Sequence, residues 1–270
     1  MPYLSPALNV MIAAARKAGR PLSRDFGELE NLQISMKGPA DFVSNADQRT
    51  EKLLIEELSR ARPGYSIYAE ESGVHDGPDK THRFIIDPID GTTNFLHGVP
   101  HFAISIALER EGVLVSGLVF NPVSNDLFVA ERGNGAYLND KRLRVAARKT
   151  IGESLMATGI PFMGKGTDGE RKRSLAEIEA VVSRCPGVRR FGSAALDLAW
   201  VAAGRFDAFW ERDLNAWDIA AGVLLVREAG GIVTDLDGRD DPLKRGDVLA
   251  ANEALHPQML KLLRYATPKT

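Results

Sequence analysis

The chain has 270 residues, 44% hydrophobic and 26% charged, with a formal net charge of −2. That suffices for one large domain or two medium ones with a sizeable core, and the near-neutral balance argues against a surface built for bulk nucleic-acid binding. No apolar run approaches the ~18 residues needed to cross a bilayer. The single cysteine, Cys185, excludes an intrachain disulfide and fits a reducing, cytoplasmic setting.

In chain order, the run LNVMIAAARKAG has its basic residues after the apolar stretch, the reverse of a secretory signal. Its spacing (Leu8, Met11, Ile12, Ala15) predicts an amphipathic helix over roughly 5–19. Residues 31–44, NLQISMKGPADFVS, read as a short hairpin or a mobile loop. A second helix is expected over 46–61, with Asn45 as N-cap and Pro63-Gly64 closing it. Strand-like runs follow at 65–69, 83–87, 102–109, 112–120 and 126–131, several separated by short turns such as Glu111-Gly112 and Asn139-Asp140, as in antiparallel hairpins. The first half is therefore expected to be helices plus a mostly antiparallel sheet.

After about residue 150 strands and helices alternate. Strands are expected at SLMATG, VRRFG, FDAFWE, GGIVTD and DVLAAN, and helices over 170–184, 193–203, 215–229 and 255–265. This is the pattern of an α/β unit. A division into 1–150 and 151–270 follows, with the boundary near 145–153 and no flexible linker to mark it. There is no internal repeat and no low-complexity segment. The basic clusters Lys141-Arg142-Arg144, Arg171–Arg173 and Arg189-Arg190 read as solvated faces. Cys185 in SRCPG reads as a small half-buried residue.

Acids stand where predicted strands or helices end: Asp41 and Asp47 in DFVSNAD, Glu70 and Glu71 in YAEESG, Asp87 and Asp90 in IIDPIDGTTN, Asp218 in NAWDIAAG. Taken singly, Asp47 and Asp218 suit a first helical turn, where the macrodipole favours negative charge, and Glu70 and Glu71 suit a solvated loop. Asp87 and Asp90 differ, because the apolar strand before them fixes the pair at a sheet edge. Carboxylates that close repel one another unless a cation lies between them. Hard divalent ions take carboxylate, carbonyl and phosphate oxygens, and the Ile89 carbonyl is a further donor at this turn. Gly91 allows close backbone approach, and Thr92–Asn94 can open a helix whose N–H groups face a phosphate.

IIDPIDGTTNF at 85–95 and WDIAAGVLLVREAGG at 217–231, with SNADQRTE at 44–51 and AEESG at 69–73 in the same order, resemble the inositol monophosphatase family. The resemblance covers nearly the whole chain and points to the bacterial extragenic-suppressor type within the Mg²⁺-dependent, lithium-sensitive sugar phosphatases. It implies a layered α-β-α-β-α sandwich, a homodimer, and two or three Mg²⁺ per site. Glu70, Asp87 and the Ile89 carbonyl would hold one ion and Asp87, Asp90 and Asp218 a second, with Glu70 and water for a weaker third. Asp47 and Thr92 would orient the attacking water, and the Gly91 and Thr92 amides would hold phosphate. Gly192, Ser193, Ala194 and Glu211 would meet the leaving group. Glu211 suits a polyol, since a carboxylate accepts from vicinal hydroxyls; on the residues alone, pairing with Arg212 or Arg205 is an equal reading.

The expected reaction is hydrolysis of inositol 1-phosphate. Histidinol phosphate, fructose 1,6-bisphosphate and 3′-phosphoadenosine 5′-phosphate are the alternatives within the fold, and a bisphosphate would call on Lys165 and Arg190. A contact with the transcription machinery is the alternative of another class. Trp217 reads as core packing, Asp213 as a polar contact or an exposed residue, and Lys37-Gly38 as part of a flap.

Overall fold

The computed structural model describes residues 5–27, 34–38, 41–161 and 166–266. Helix α1 spans Pro6–Gly27 and α2 spans Asn45–Ala61; between them β1 (Ile34–Gly38) and β2 (Asp41–Ser44) pair antiparallel, so the hairpin reading of 31–44 holds where the chain is described. Residues 31–33 and 39–40 of that segment, and Lys165, lie outside the described residues.

Helix α1 outruns its expected end by eight residues. Gly19 and Pro21 are stop signals, since proline lacks the N–H and crowds the carbonyl one turn back. Tertiary packing overrides them. Leu22 is fully buried, and Phe26 packs on Phe95 and Phe102 at ring separations of 5.9 and 5.1 Å.

An eight-stranded sheet follows. Its strands are β3 (Tyr65–Ala69), β4 (Gly73–His75), β5 (Asp79–Asp90), β6 (Ala103–Arg110), β7 (Val113–Asn121), β8 (Asp126–Glu131), β9 (Gly135–Leu138) and β10 (Lys141–Arg142). The order is β10-β9-β8-β7-β6-β5-β3-β4, antiparallel throughout except for the parallel β3–β5 pair. The run Phe84-Ile85-Ile86 is apolar at every position because both faces of β5 are covered. Successive side chains alternate, so Phe84 and Ile86 join a core beneath α1 and α2 while Ile85 joins a second core on the other side.

That second core is the central layer. Helices α5 (Ala194–Ala202) and α6 (Ala216–Glu228) lie in it, buried almost all round. A five-stranded sheet covers their far side: β11 (Leu155–Thr158), β12 (Gly187–Arg189), β13 (Ala208–Glu211), β14 (Ile232–Thr234) and β15 (Val248–Ala251), in the order β12-β11-β13-β15-β14. β11 is parallel to β12 and β13, and β15 is antiparallel to β13 and β14, so the expected α/β half has a mixed sheet. Helices α4 (Asp168–Val182) and α8 (His256–Arg264) close a third core through Val181, Met259 and Leu263. The layers run α-β-α-β-α. The remaining described elements are short: the α-helices α3 (Thr92–Leu96) and α7 (Pro242–Arg245) and a 3-10 turn at Ile151–Glu153. The reading from sequence missed β4, β9, β10 and α7.

Candidate active site

Strand register brings the first carboxylates together. In the parallel β3–β5 pair, Ala69 stands opposite Ile86, so Glu70 follows beside Asp87. The Glu70 N–H donates to the Ile86 carbonyl at 3.3 Å. Residues three apart on a regular strand face opposite sides, which would separate Asp87 from Asp90. They do not separate, because the β5–β6 ladder slips between them: Asp87 pairs with Ser105 but Asp90 with Ala103. One extra residue is absorbed there, as in a β-bulge, and Pro88, which has no N–H to lose, sits inside it. The Asp87 Oδ1 accepts the Ile89 N–H at 2.9 Å and holds the turn.

The third acid arrives from the second half. Asp218 is the third residue of α6, where its Oδ2 accepts the Asn215 N–H at 2.6 Å in a capping box. Its position is locked from behind by Trp217, which packs edge-on against Tyr68 at 5.0 Å and whose carbonyl accepts from Ser105. One oxygen from each of Asp87, Asp90 and Asp218 lies within 4.8 Å of the others, and Asp87 and Asp90 are buried.

The electrostatics follow from crowding. Burial pushes Glu70 up to about 8, with Asp218 and Asp47 adding to it. Burial and the charges of Glu70, Asp90 and Asp218 push Asp87 well above the usual carboxylate range. Asp90 rises to about 7 through burial and Asp218, although Ser193 Oγ and the Ala195 N–H both donate to its Oδ2, at 2.5 and 2.7 Å. Asp47, fully buried in the first turn of α2, is close enough to Glu70 to raise it. A set of mutually repelling, buried oxygen donors fits a hard divalent cation, which would replace the protons that crowding otherwise favours.

The residues expected on the phosphate and leaving-group sides surround this cluster. Gly91 adopts φ +97°, and a Cβ there would meet the His101 and Gly192 carbonyls at 3.1 and 3.3 Å. The Thr92 hydroxyl donates to the Ile89 carbonyl at 3.0 Å. Asn94 clamps two loops, donating to the carbonyls of His101 and Phe191 at 2.7 Å each. That clamp carries Gly192, Ser193 and Ala194 up to the carboxylates. Ser193 caps α5 as well as bonding Asp90.

Glu211 ends β13. Neither expected surface partner takes it: Arg212 binds Glu177 and Asp247, and Arg205 lies over Trp200 and reaches Asp126. Burial, followed by the charge of Asp197, raises Glu211 well above its ordinary range, and Arg190 opposes the rise. Arg190 is therefore not simply part of a solvated face; its guanidinium lies against Gly192 and acts on both Asp197 and Glu211. Asp213 is exposed, and Cys185, half-buried with a thiol pushed up by burial, has the bland role expected of it.

Three contributors were missed in the sequence. Glu51, one turn after Asp47 on the same buried helical face, accepts the Glu71 N–H at 2.7 Å and anchors the turn that carries Glu70. Its i,i+4 spacing from Asp47 was the available signal. Asp197 and His101, both buried and 3.8 Å apart, stand behind the 191–194 loop. Nothing in their local sequence marks them as neighbours.

The profile of the inositol monophosphatase family matches residues 3–267. The chain belongs to that family. Its members are metal-dependent phosphatases, so the chain is an enzyme of that class. An inositol-1-monophosphatase of Caulobacter vibrioides is 57% identical over 259 residues, covering 95% of this chain and all of the relative. A Nus factor SuhB of Pseudomonas aeruginosa is 41% identical over 267 residues, covering 98% of each. The crystal structure of extragenic suppressor protein suhB from Bartonella henselae superposes with a TM-score of 0.93 at 51% identity, covering 97% of this chain and 100% of that one.

Proposed function

We propose that this inositol monophosphatase family member hydrolyses inositol 1-phosphate to inositol and phosphate with Mg²⁺, as a cytoplasmic homodimer. The observation that carries the reading is the convergence of Asp87, Asp90 and Asp218 within 4.8 Å, beside Glu70 and the Ile89 carbonyl. These groups would hold two or three Mg²⁺ ions. When bound, the ions supply positive charge to the transferring phosphoryl group and lower the pKa of water.

The chain's own residues do the rest. Asp47 and Thr92 position the attacking water, with the Asp47 carboxylate as the proton acceptor of last resort behind the Thr92 hydroxyl. The Gly91 and Thr92 amides meet the phosphate. Asp90 is held in place by Ser193 and Ala195, which ties the reacting centre to the loop that meets the leaving group. Glu211 accepts hydrogen bonds from the departing polyol.

The test is phosphate release from inositol 1-phosphate, histidinol phosphate, fructose 1,6-bisphosphate and 3′-phosphoadenosine 5′-phosphate, with Mg²⁺ or chelator. Inositol 1-phosphate should be turned over fastest, only with Mg²⁺, and Asp90→Asn should lower its kcat by at least about a hundredfold. A near-normal rate in that variant would remove Asp90 from the site. A second reading is a role in transcription, favoured by the 41% identical Nus factor SuhB. Co-purification of RNA polymerase to the same extent with Asp90→Asn as with the wild type would support it.

A further inference from the structure

The wall that carries Glu211 is made of two neighbouring strand ends. β11 runs parallel to β13 with Thr158 opposite Trp210, and the Thr158 hydroxyl donates to the Trp210 carbonyl at 2.8 Å. One residue further on, Gly159 lies beside Glu211. A Cβ built on Gly159 would stand 1.7 Å from Glu211 Oε1, 1.8 Å from Cδ and 2.2 Å from Oε2. The carboxylate thus occupies the volume that any other residue at 159 would fill with its side chain. Gly159 has no positive φ. The backbone there is open to every residue, so what glycine supplies is space alone.

Among the described residues no hydrogen-bond donor reaches the Glu211 carboxylate. Its head stands in the space that a Cβ on Gly159 would take, and the charge of Arg190 acts on it. We infer that Gly159 is a positioning residue for specificity. It sets where Glu211 stands, and through Glu211 it selects a leaving group with hydroxyls to donate over a phosphate ester without them. The inference rests on the proposed phosphatase reading and adds a determinant outside the metal cluster. The clashing atoms are the far end of a flexible side chain, so a methyl at 159 is accommodated by swinging the carboxylate away. The fold pays little, and recognition is what is lost.

The experiment compares wild type, Gly159→Ala, Glu211→Ala and the double variant, all with Mg²⁺. Each is assayed for kcat and KM on inositol 1-phosphate and on phenyl phosphate, and for Tm. The wild-type preference for inositol 1-phosphate tests the proposed function itself; the variants test only this inference. Gly159→Ala should lower the inositol-to-phenyl ratio of kcat/KM by about tenfold or more, chiefly through KM for inositol 1-phosphate. Glu211→Ala should do the same, and the double variant should match Glu211→Ala, because Gly159 acts through that carboxylate. A ratio in Gly159→Ala within about twofold of wild type, or a double variant showing the product of both losses, overturns the inference. If Gly159→Ala fails to fold, the double variant should regain the Tm of Glu211→Ala; a double variant that also fails places the clash elsewhere and overturns it too.

Discussion

At the residue scale the site is a set of like charges held together by strand register, and its titration should show that. Folded-state values of about 8 for Glu70 and about 7 for Asp90 lie above those of an unfolded chain. Between the unfolded and folded values the native state holds protons that the unfolded chain has released, so stability falls as pH rises. Below the ordinary carboxylate range both states are protonated and the effect vanishes. In chelator, Tm should therefore decline from about pH 5 to about pH 8, and the gain in Tm on adding Mg²⁺ should grow across the same window. Scanning fluorimetry from pH 5 to 9 checks it; a Mg²⁺ gain that shrinks as pH rises would contradict the assignment of Glu70 and Asp90. What was legible at this scale was what lies contiguous in the chain. Asp87, Ile89 and Asp90 share one bulge, so their chemistry is written in one motif. Glu211 over Gly159 depends on which strand runs beside which, and no local pattern records that.

At the element scale the centre of the molecule is the crossing of α5 and α6, and it is tight. A Cβ on Gly222 would meet Leu198 Cβ at 2.5 Å and Cδ1 at 2.6 Å. Leu198 Cβ is fixed by its own backbone, so rotamer change cannot relieve that contact. Alanine gains about 1 kcal/mol over glycine in a helix interior, while overpacking costs about 1–3 kcal/mol. Gly222→Ala should therefore destabilise on balance, by about 1 kcal/mol in urea, and should weaken Mg²⁺ binding, because Asp218 lies one turn earlier on the same helix. A higher urea midpoint with unaltered Mg²⁺ affinity would show that the helices can part freely. The strand–helix alternation found α6 and the apolar runs found the long strands, because burial stamps their sequence. Periodicity stopped α1 at Gly19, where local propensity points one way and the Phe26–Phe102 packing the other. It passed over β10 and α7, which are too short to carry a period.

At the scale of the whole molecule the question is whether the proposed halves, 1–150 and 151–270, fold as two units or one. Ile85, Val119 and Phe128 come from the first and Leu198, Phe209, Ala221 and Ala250 from the second, yet all belong to one buried cluster. Neither half closes that core alone: without 1–150, α5 and α6 lose the eight-stranded sheet that covers one side of them, and without 151–270 that sheet loses the helices packed on it. The acidic cluster proposed to hold metal spans the same division, with Asp87 and Asp90 on one side and Asp218 on the other. Calorimetry should accordingly give a single transition with calorimetric and van't Hoff enthalpies equal. Mg²⁺ at a hundred times its Kd should add about 2.7 kcal/mol, which for a chain of this size moves Tm by about 5 °C. Asp218→Asn should keep the single transition and lose most of that shift at the same Mg²⁺ concentration, because removing one of three converging carboxylates weakens the affinity. Two transitions, of which Mg²⁺ moves only the one belonging to 1–150, would instead mean that the shared central layer assembles after each half has already folded.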